Sequence, residues 1–432
     1  MASTAPEPFR INNIKEIQSQ LFNIVSLINH KRNWTVNYPK YYKPFYQAGD
    51  ELTFDLKPSL VDYINFDLAY ITCDVNVDNI VIRHFMYGTV GLIGRCYFLI
   101  NIYPIWDIQQ YGRNKWMELQ GVVDKNKQNW ETMYSSTSHP NQRTAIAQGE
   151  SVRIKIPIMT PFDNVYFPVV NISEQLTLKI ELAQDIDCIT YNDEDATETF
   201  PYQLSNVQLW MDGLTALSGA DLDNKEFVYH ITIPKYFLNR CEVGESYWQF
   251  MYEMKNASLK KMISGLFRIA DLPKHHLEFY SAHHEDVVKY QVSISGTVYP
   301  FAQGLSGDLD LWFEFERWFG RYDNFYDPKT YEINYNEGFN THSLDAYWYY
   351  ASPNVIWVRS DSDDWLLCFF LCMTFDTLGQ TSSIMSGVNN ETYTLIQLLQ
   401  ILTPLEHAYL LMNWIYKDAV LQVLNGTVIV ND

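Results

Sequence analysis

Apolar and polar residues alternate strictly in several stretches of the chain. In "LTFDL", Leu52, Phe54 and Leu56 alternate with Thr53 and Asp55. In "VRIKI", Val152, Ile154 and Ile156 alternate with Arg153 and Lys155 before Pro157 ends the run. "LTLKIEL" sets Leu176, Leu178, Ile180 and Leu182 against Thr177, Lys179 and Glu181. "FVYHITI" sets Phe227, Tyr229, Ile231 and Ile233 against Val228, His230 and Thr232. Successive strand side chains face opposite ways, so each run predicts a strand with one face in a core. The stretch "LSNVQLWMDGLTAL" (204–217) reads as a closing strand: Val207, Leu209 and Met211 face one way, Gln208 and Trp210 the other, and Gly213 breaks the pattern. A second ending lies at "DAVLQVLNGTVIVND" (418–432). Its Asn425-Gly426 pair predicts a two-residue hairpin, because a type I′ turn needs positive φ at both positions.

One stretch has a helical period instead. Over 9–32, Ile11, Ile14, Ile17, Leu21, Ile24 and Ile28 form an apolar stripe, and His30, Lys31 and Arg32 sit at the end where a helix favours cations. This predicts a helix packed on its own domain or docked on a neighbour or an inner surface. A short helix is predicted at 308–320, capped by Ser306 or Asp308. Long polar connections run over 106–150, over 185–203 with its acidic cluster Asp193, Glu194 and Asp195, and over 321–345. Loops of such length in compact domains usually carry function or bind partners. Strands with long loops and no β-α-β rhythm predict β-sandwiches. The two endings suggest two units of similar element order, opening at "ELTFDL" and at "FVYHITIP".

Composition fits that class. Of 432 residues 16% are aromatic and 47% apolar, which favours strands and large cores. The net charge of −20 argues against direct nucleic-acid binding, which needs clustered cations. The chain shows no basic, apolar leader, so synthesis inside the cell without a secretory signal is expected. The apolar run "WLLCFFLCMTF" (365–375) is about half a bilayer span and predicts a strand buried on both faces. Cys73, Cys96, Cys188, Cys241, Cys368 and Cys372 lack zinc spacing and are expected as reduced, mostly buried thiols. The sequons at Asn33, Asn171, Asn256, Asn390 and Asn425 are read as chance matches.

Each candidate chemical feature has a plainer reading. Gly88, Gly91 and Gly94 do not form a phosphate-binding pattern and suit a bent strand or turn. His275, His276, His283 and His284, beside Glu278 and Glu285, could hold a transition metal or form a polar loop that titrates near neutrality. Asp361, Asp363 and Asp364 could hold calcium, but without the EF-hand frame a solvated loop is the simpler reading. Glu314, Glu316 and Glu337 among aromatics suit sugar hydrolysis, yet carboxylates two apart on a strand share a face at about 7 Å in any exposed pair. No catalytic, cofactor-binding or metal site is therefore expected, and the chain is not expected to be an enzyme.

Several phrases, in order, resemble the double jelly-roll major capsid proteins of eukaryotic DNA viruses, of the polinton-like virus, adintovirus and virophage type. "VRIKIPIMTPFDNVYFPVVNISEQLTLKIELAQD" resembles a strand, turn and strand near the end of the first jelly roll, and "YQLSNVQLWMDGL" its last strand. "MKNASLKKMISGLFRIAD", "YQVSISGTVYPFAQ", "SSIMSGVNNETYTLIQL" and "MNWIYKDAVLQVLNGTVIV" resemble strands of the second. The phrases cover most of 150–432. The resemblance implies an all-β chain of two tandem eight-stranded antiparallel jelly rolls, with a helical arm at 1–44, a first jelly roll at 45–220 and a second at 221–432. It also implies a virion protein: a homotrimer of pseudo-six-fold outline, tiling an icosahedral shell with neighbouring trimers, penton and minor capsid proteins. Two other expectations are a single jelly-roll capsid protein of a small DNA virus and a β-sandwich carbohydrate-active enzyme.

Overall fold

The computed structural model describes residues 30–56, 61–77, 83–85, 88–120, 145–146, 151–158, 160, 162, 166–170, 172–190, 201–217, 227–254, 257–270, 272, 287–306, 310–311, 314, 356–359, 365–368, 370–375, 388–390, 394–424 and 427–431. The alternating stretches are strands of two antiparallel sandwiches.

In the first sandwich, one sheet runs β1 (His30–Asn37), β13 (Tyr202–Ala216) and β4 (Tyr63–Val77). The far edge of β4 is lined in turn by β9 (Ser151–Pro157) and β10 (Tyr166–Pro168), and β2 (Tyr46–Gln47) joins β13. The facing sheet runs β3 (Glu51–Leu56), β11 (Leu176–Leu182), β6 (Ile93–Ile100), β7 (Tyr103–Gln109). A small sheet of β12 (Ile189–Thr190), β5 (Arg83–Phe85) and β8 (Ala145–Ile146) lies beside them.

The second sandwich repeats this order. One sheet runs β14 (Phe227–Cys241), β24 (Tyr409–Leu424), β16 (Ala257–Arg268), then β21 (Phe370–Thr374) and β22 (Val388–Asn390) along the far edge of β16. The facing sheet runs β15 (Tyr247–Glu253), β23 (Thr394–Ile401), β17 (Val287–Ile294), β18 (Thr297–Tyr299). β25 (Thr427–Asn431) returns along β24 with Leu424 opposite Thr427, and β19 (Ile356–Arg359) pairs β20 (Trp365–Cys368).

Among the principal strands of each half, one sheet thus takes the first, last, third and sixth, and the other the second, seventh, fourth and fifth. This interleaving is the jelly-roll topology, and the chain carries it twice.

The alternation sets the burial. Leu52, Phe54 and Leu56 on β3 and Leu176, Leu178, Ile180 and Leu182 on β11 meet in the first core. On β13, Val207, Leu209 and Met211 face the same core. Gly213 is required by close approach: a Cβ there would lie 2.6 Å from Val61 Cγ1 and 2.9 Å from the Tyr63 carbonyl oxygen.

Four expectations need correction. The helix expected over 9–32 does not reach its cationic end: His30, Lys31 and Arg32 begin β1, paired to β13 from His30↔Ala216 to Asn37↔Leu209. Residues 9–29 lie outside the described residues, and the part of the expected 1–44 arm in β1 belongs to the first sheet. The first unit therefore opens at β1 rather than at "ELTFDL", which is its second strand and matches β15 in place. The polar stretch 106–150 is not wholly irregular, since it includes the end of β7, a helix at Tyr111–Gln120 and β8. The expected loop at 185–203 likewise starts with a helical turn at Asp185–Cys188 and β12.

Candidate functional site

The most distinctive surface in the molecule is the seam between its two sandwiches. The sheet built on β24 is buried on both faces. Leu411 and Ile415 point into the second core, while Met412, Trp414 and Tyr416 point into the core cluster of the first sandwich. Its neighbours behave alike: Met262 and Leu266 face one way, Ile263 and Phe267 the other, and on β21 Leu371 and Met373 oppose Cys372. Tyr229, Ile231, Ala419, Leu421 and Val423 extend the seam. Burying aromatics and aliphatics on both faces removes a large apolar area from water, at roughly 25 cal/mol per Å², so the sandwiches cohere as one body.

The helix Tyr111–Gln120 supplies the other side of the seam. It follows β7 and packs on the turn Thr89–Leu92. A Cβ on Gly112 would lie 2.7 Å from the Cα of Gly91, so glycine allows this approach. The glycine-rich stretch at 88–94 is thus a buried turn opening β6, with Gly88 at φ 68°. The helix presents polar groups to the second sandwich. Arg113 Nη2 pairs with Asp187 Oδ1 at 2.6 Å, and its guanidinium lies 5.4 Å from the Phe267 ring centroid. Asn114 Nδ2 donates to Tyr416 Oη at 2.6 Å. Tyr416 Oη donates to Glu118 Oε1 at 2.6 Å, and Lys115 Nζ to Glu118 Oε2 at 2.7 Å. Trp414 Nε1 donates to the Gln109 carbonyl at 3.0 Å. Elsewhere along the seam, the Val428 N–H donates to Glu174 Oε2 at 3.1 Å.

These buried groups are matched in charge. Burial pushes the Glu118 carboxyl up, but Lys115, Lys261 and its hydrogen bonds outweigh that and hold it below the usual range. Burial pulls the Lys261 ammonium down to about 8 against the attraction of Glu118. Burial, reinforced by Glu118, raises the Tyr416 phenol well above its ordinary value. A satisfied polar network of this kind fixes one relative placement of its partners.

The chemistry-bearing residues of the sequence fare differently. Glu314 is 4% exposed and its carboxylate accepts the Thr374 backbone N–H. Asp310, Leu311 and Glu314 are helical, within the span predicted at 308–320. Glu316, Glu337, His275, His276, His283, His284, Asp361, Asp363 and Asp364 lie outside the described residues. Among the described residues no group of three metal-ligating side chains converges, and no helix is long and apolar enough to cross a membrane. Cys73, Cys96, Cys188, Cys241 and Cys372 are buried free thiols. The polar seam helix escaped sequence reading. Its one local signal was Asn114, Lys115 and Glu118 at helical steps.

Two like-ordered jelly rolls fused along a buried seam can be compared with solved structures. No family model matches the chain, and no curated protein does. Solved structures do. The chain is similar to PBCV-1 VP54, whose crystal structure was fitted into a reconstruction of the virophage Sputnik: TM-score 0.61, 10% identity, 93% of this chain and 96% of that one covered. The fold is that of double jelly-roll major capsid proteins. The Faustovirus major capsid protein aligns with a TM-score of 0.59 at 9% identity, over 91% of this chain and 90% of its own. The mavirus major capsid protein aligns with a TM-score of 0.54 at 11% identity, over 100% and 95%.

Proposed function

We propose that this chain is the major capsid protein of an icosahedral virus, a structural subunit of the virion and not an enzyme. The observation that carries the reading is the repeated strand order together with its seam. One chain supplies two jelly rolls held as a rigid pair, and three such pairs give six similar sandwiches around one axis. The proposed unit is therefore a homotrimer of pseudo-six-fold outline, with one jelly roll on either side of a boundary near residue 220. Neighbouring trimers, with penton and minor capsid proteins, would complete a shell. The net charge of −20 supports a shell that does not bind nucleic acid directly.

Light scattering coupled to size-exclusion chromatography of the full chain tests this. A mass of three chains is expected, with six-lobed particles by electron microscopy. A monomer at all concentrations would contradict it.

A further inference from the structure

The two sandwiches present equivalent sheets to very different surroundings. Placing Trp210 of β13 on Trp414 of β24 aligns their neighbours: Val36 lies opposite Trp210 as Tyr236 lies opposite Trp414. On the other side Tyr70 and Ile263 are the partners. In the second sandwich this outer face is covered by β7 and the helix that follows it, and Trp414 is 0% exposed. In the first sandwich the same face is aromatic but open. Trp34 is 49% exposed, its ring 5.9 Å from that of Tyr70, which stacks on Trp210 at 6.3 Å.

We infer that the outer face around Trp34, Tyr70 and Trp210 is covered by a second copy of this chain, through the flank of its second sandwich that carries β18 and Phe301. The inference rests on the capsid reading and adds the surfaces to it. The chain itself supplies the template, because the flank that covers Trp414 is the fifth strand of the preceding sandwich and the helix after it. In the second sandwich the fifth strand is β18. It is followed by Phe301, 45% exposed, and by helical residues Asp310 and Leu311. In this way each sandwich covers the sheet of the next, and the ring closes only when copies meet.

Charge supports the same occupant. Arg32, Arg153 and Lys155 rim the open face and are exposed, with the Lys155 ammonium 4.9 Å from the Tyr70 ring centroid. A cationic, aromatic face on a chain of net charge −20 suits another copy of the same acidic chain. Apolar faces rimmed by polar residues mark interaction sites.

Trp34→Glu and Phe301→Glu, each made in the full chain, test the two surfaces. Leu402→Glu is the control, because Leu402 is 68% exposed and away from both. Each test variant is expected to lower the mass by light scattering from the assembled species to one chain, with an unchanged melting curve. The control should assemble as wild type. Hydroxyl-radical footprinting should oxidise Trp34 several-fold faster in the Phe301→Glu monomer than in the wild-type assembly. A wild type that assembles while both variants assemble equally overturns this pairing and leaves the capsid reading standing. A wild type that never assembles overturns both. Equal protection of Trp34 in monomer and assembly would place the chain's own residues on the face, and overturns the inference.

Discussion

The two sandwiches share a strand order but fill their cores differently. The first is packed by a dry aromatic cluster: Phe66, Phe98, Phe162 and Phe167 are at most 1% exposed, with Phe162 and Phe167 centroids 4.7 Å apart and Phe66 and Phe98 at 5.6 Å. The second carries a buried hydrogen-bond network at its centre. Tyr252 Oη donates to Gln397 Oε1 at 2.5 Å and accepts from Asn413 Nδ2 at 3.0 Å and Asn239 Nδ2 at 2.8 Å. Gln397 Nε2 in turn donates to Ser264 Oγ at 3.3 Å. One topology therefore tolerates either solution, because the interleaving of strands demands two opposed inner faces and not a particular chemistry. Aromatic packing rewards volume. The polar network rewards geometry, since each buried group left unpaired is costly.

Substitutions can break that contrast. The largest effect is expected from Phe167→Ala, which empties a ring-sized space in the first core and should cost about 3–5 kcal/mol, read as a lowered urea midpoint. Gln397→Leu in the second core keeps most of the volume but strands the Tyr252 hydroxyl and Ser264. A cost of roughly 1–3 kcal/mol is expected, and a neutral result would show that this network is not what orders the second core.

Lys261 sharpens the comparison at the seam, where the two packing styles meet. Its ammonium sits at about 8 in the fold, below its ordinary 10.5. Between those values the unfolded chain holds a proton that the folded chain lacks, so stability rises with pH across that window. The difference in melting temperature between wild type and Lys261→Met should therefore shift in favour of wild type from pH 8 to 9.5. Comparing the two proteins cancels the opposing titration of buried tyrosines and cysteines. The smallest effect is expected from Arg95→Ala. Arg95 Nη2 meets Asp107 Oδ2 at 2.7 Å, but both side chains are partly solvated, so about 1 kcal/mol or less is at stake.

How much of this was legible depended on how many faces of each element are wet. β3, β9 and β11 have one buried face each, and their alternation shows in the sequence. β24 is buried on both faces, so "LLMNWIYKDAV" offers no alternation to read, and its place in a seam could not be inferred. The run at 365–375 pointed the right way, because Leu371, Cys372 and Met373 face two different cores. The helix at 111–120 reads as loop because its buried face carries Arg113, Asn114, Lys115 and Glu118, whose partners come from Asp187 and Tyr416, remote in sequence. β1 was misread because a local apolar period upstream ran into it, and its pairing with β13 spans 172 to 186 residues. Repeated element order was visible; the register of the repeat, with its opening strand, was not.

The account's central claim is that two jelly rolls act as one building block whose copies close a ring of six sandwiches. Electron microscopy of the purified, self-assembled full-length chain tests it most directly. Class averages should show a six-lobed outline from a particle of three chains. Averages showing an isolated two-lobed particle at every concentration, or a ring whose lobe number is not twice its chain number, would contradict it.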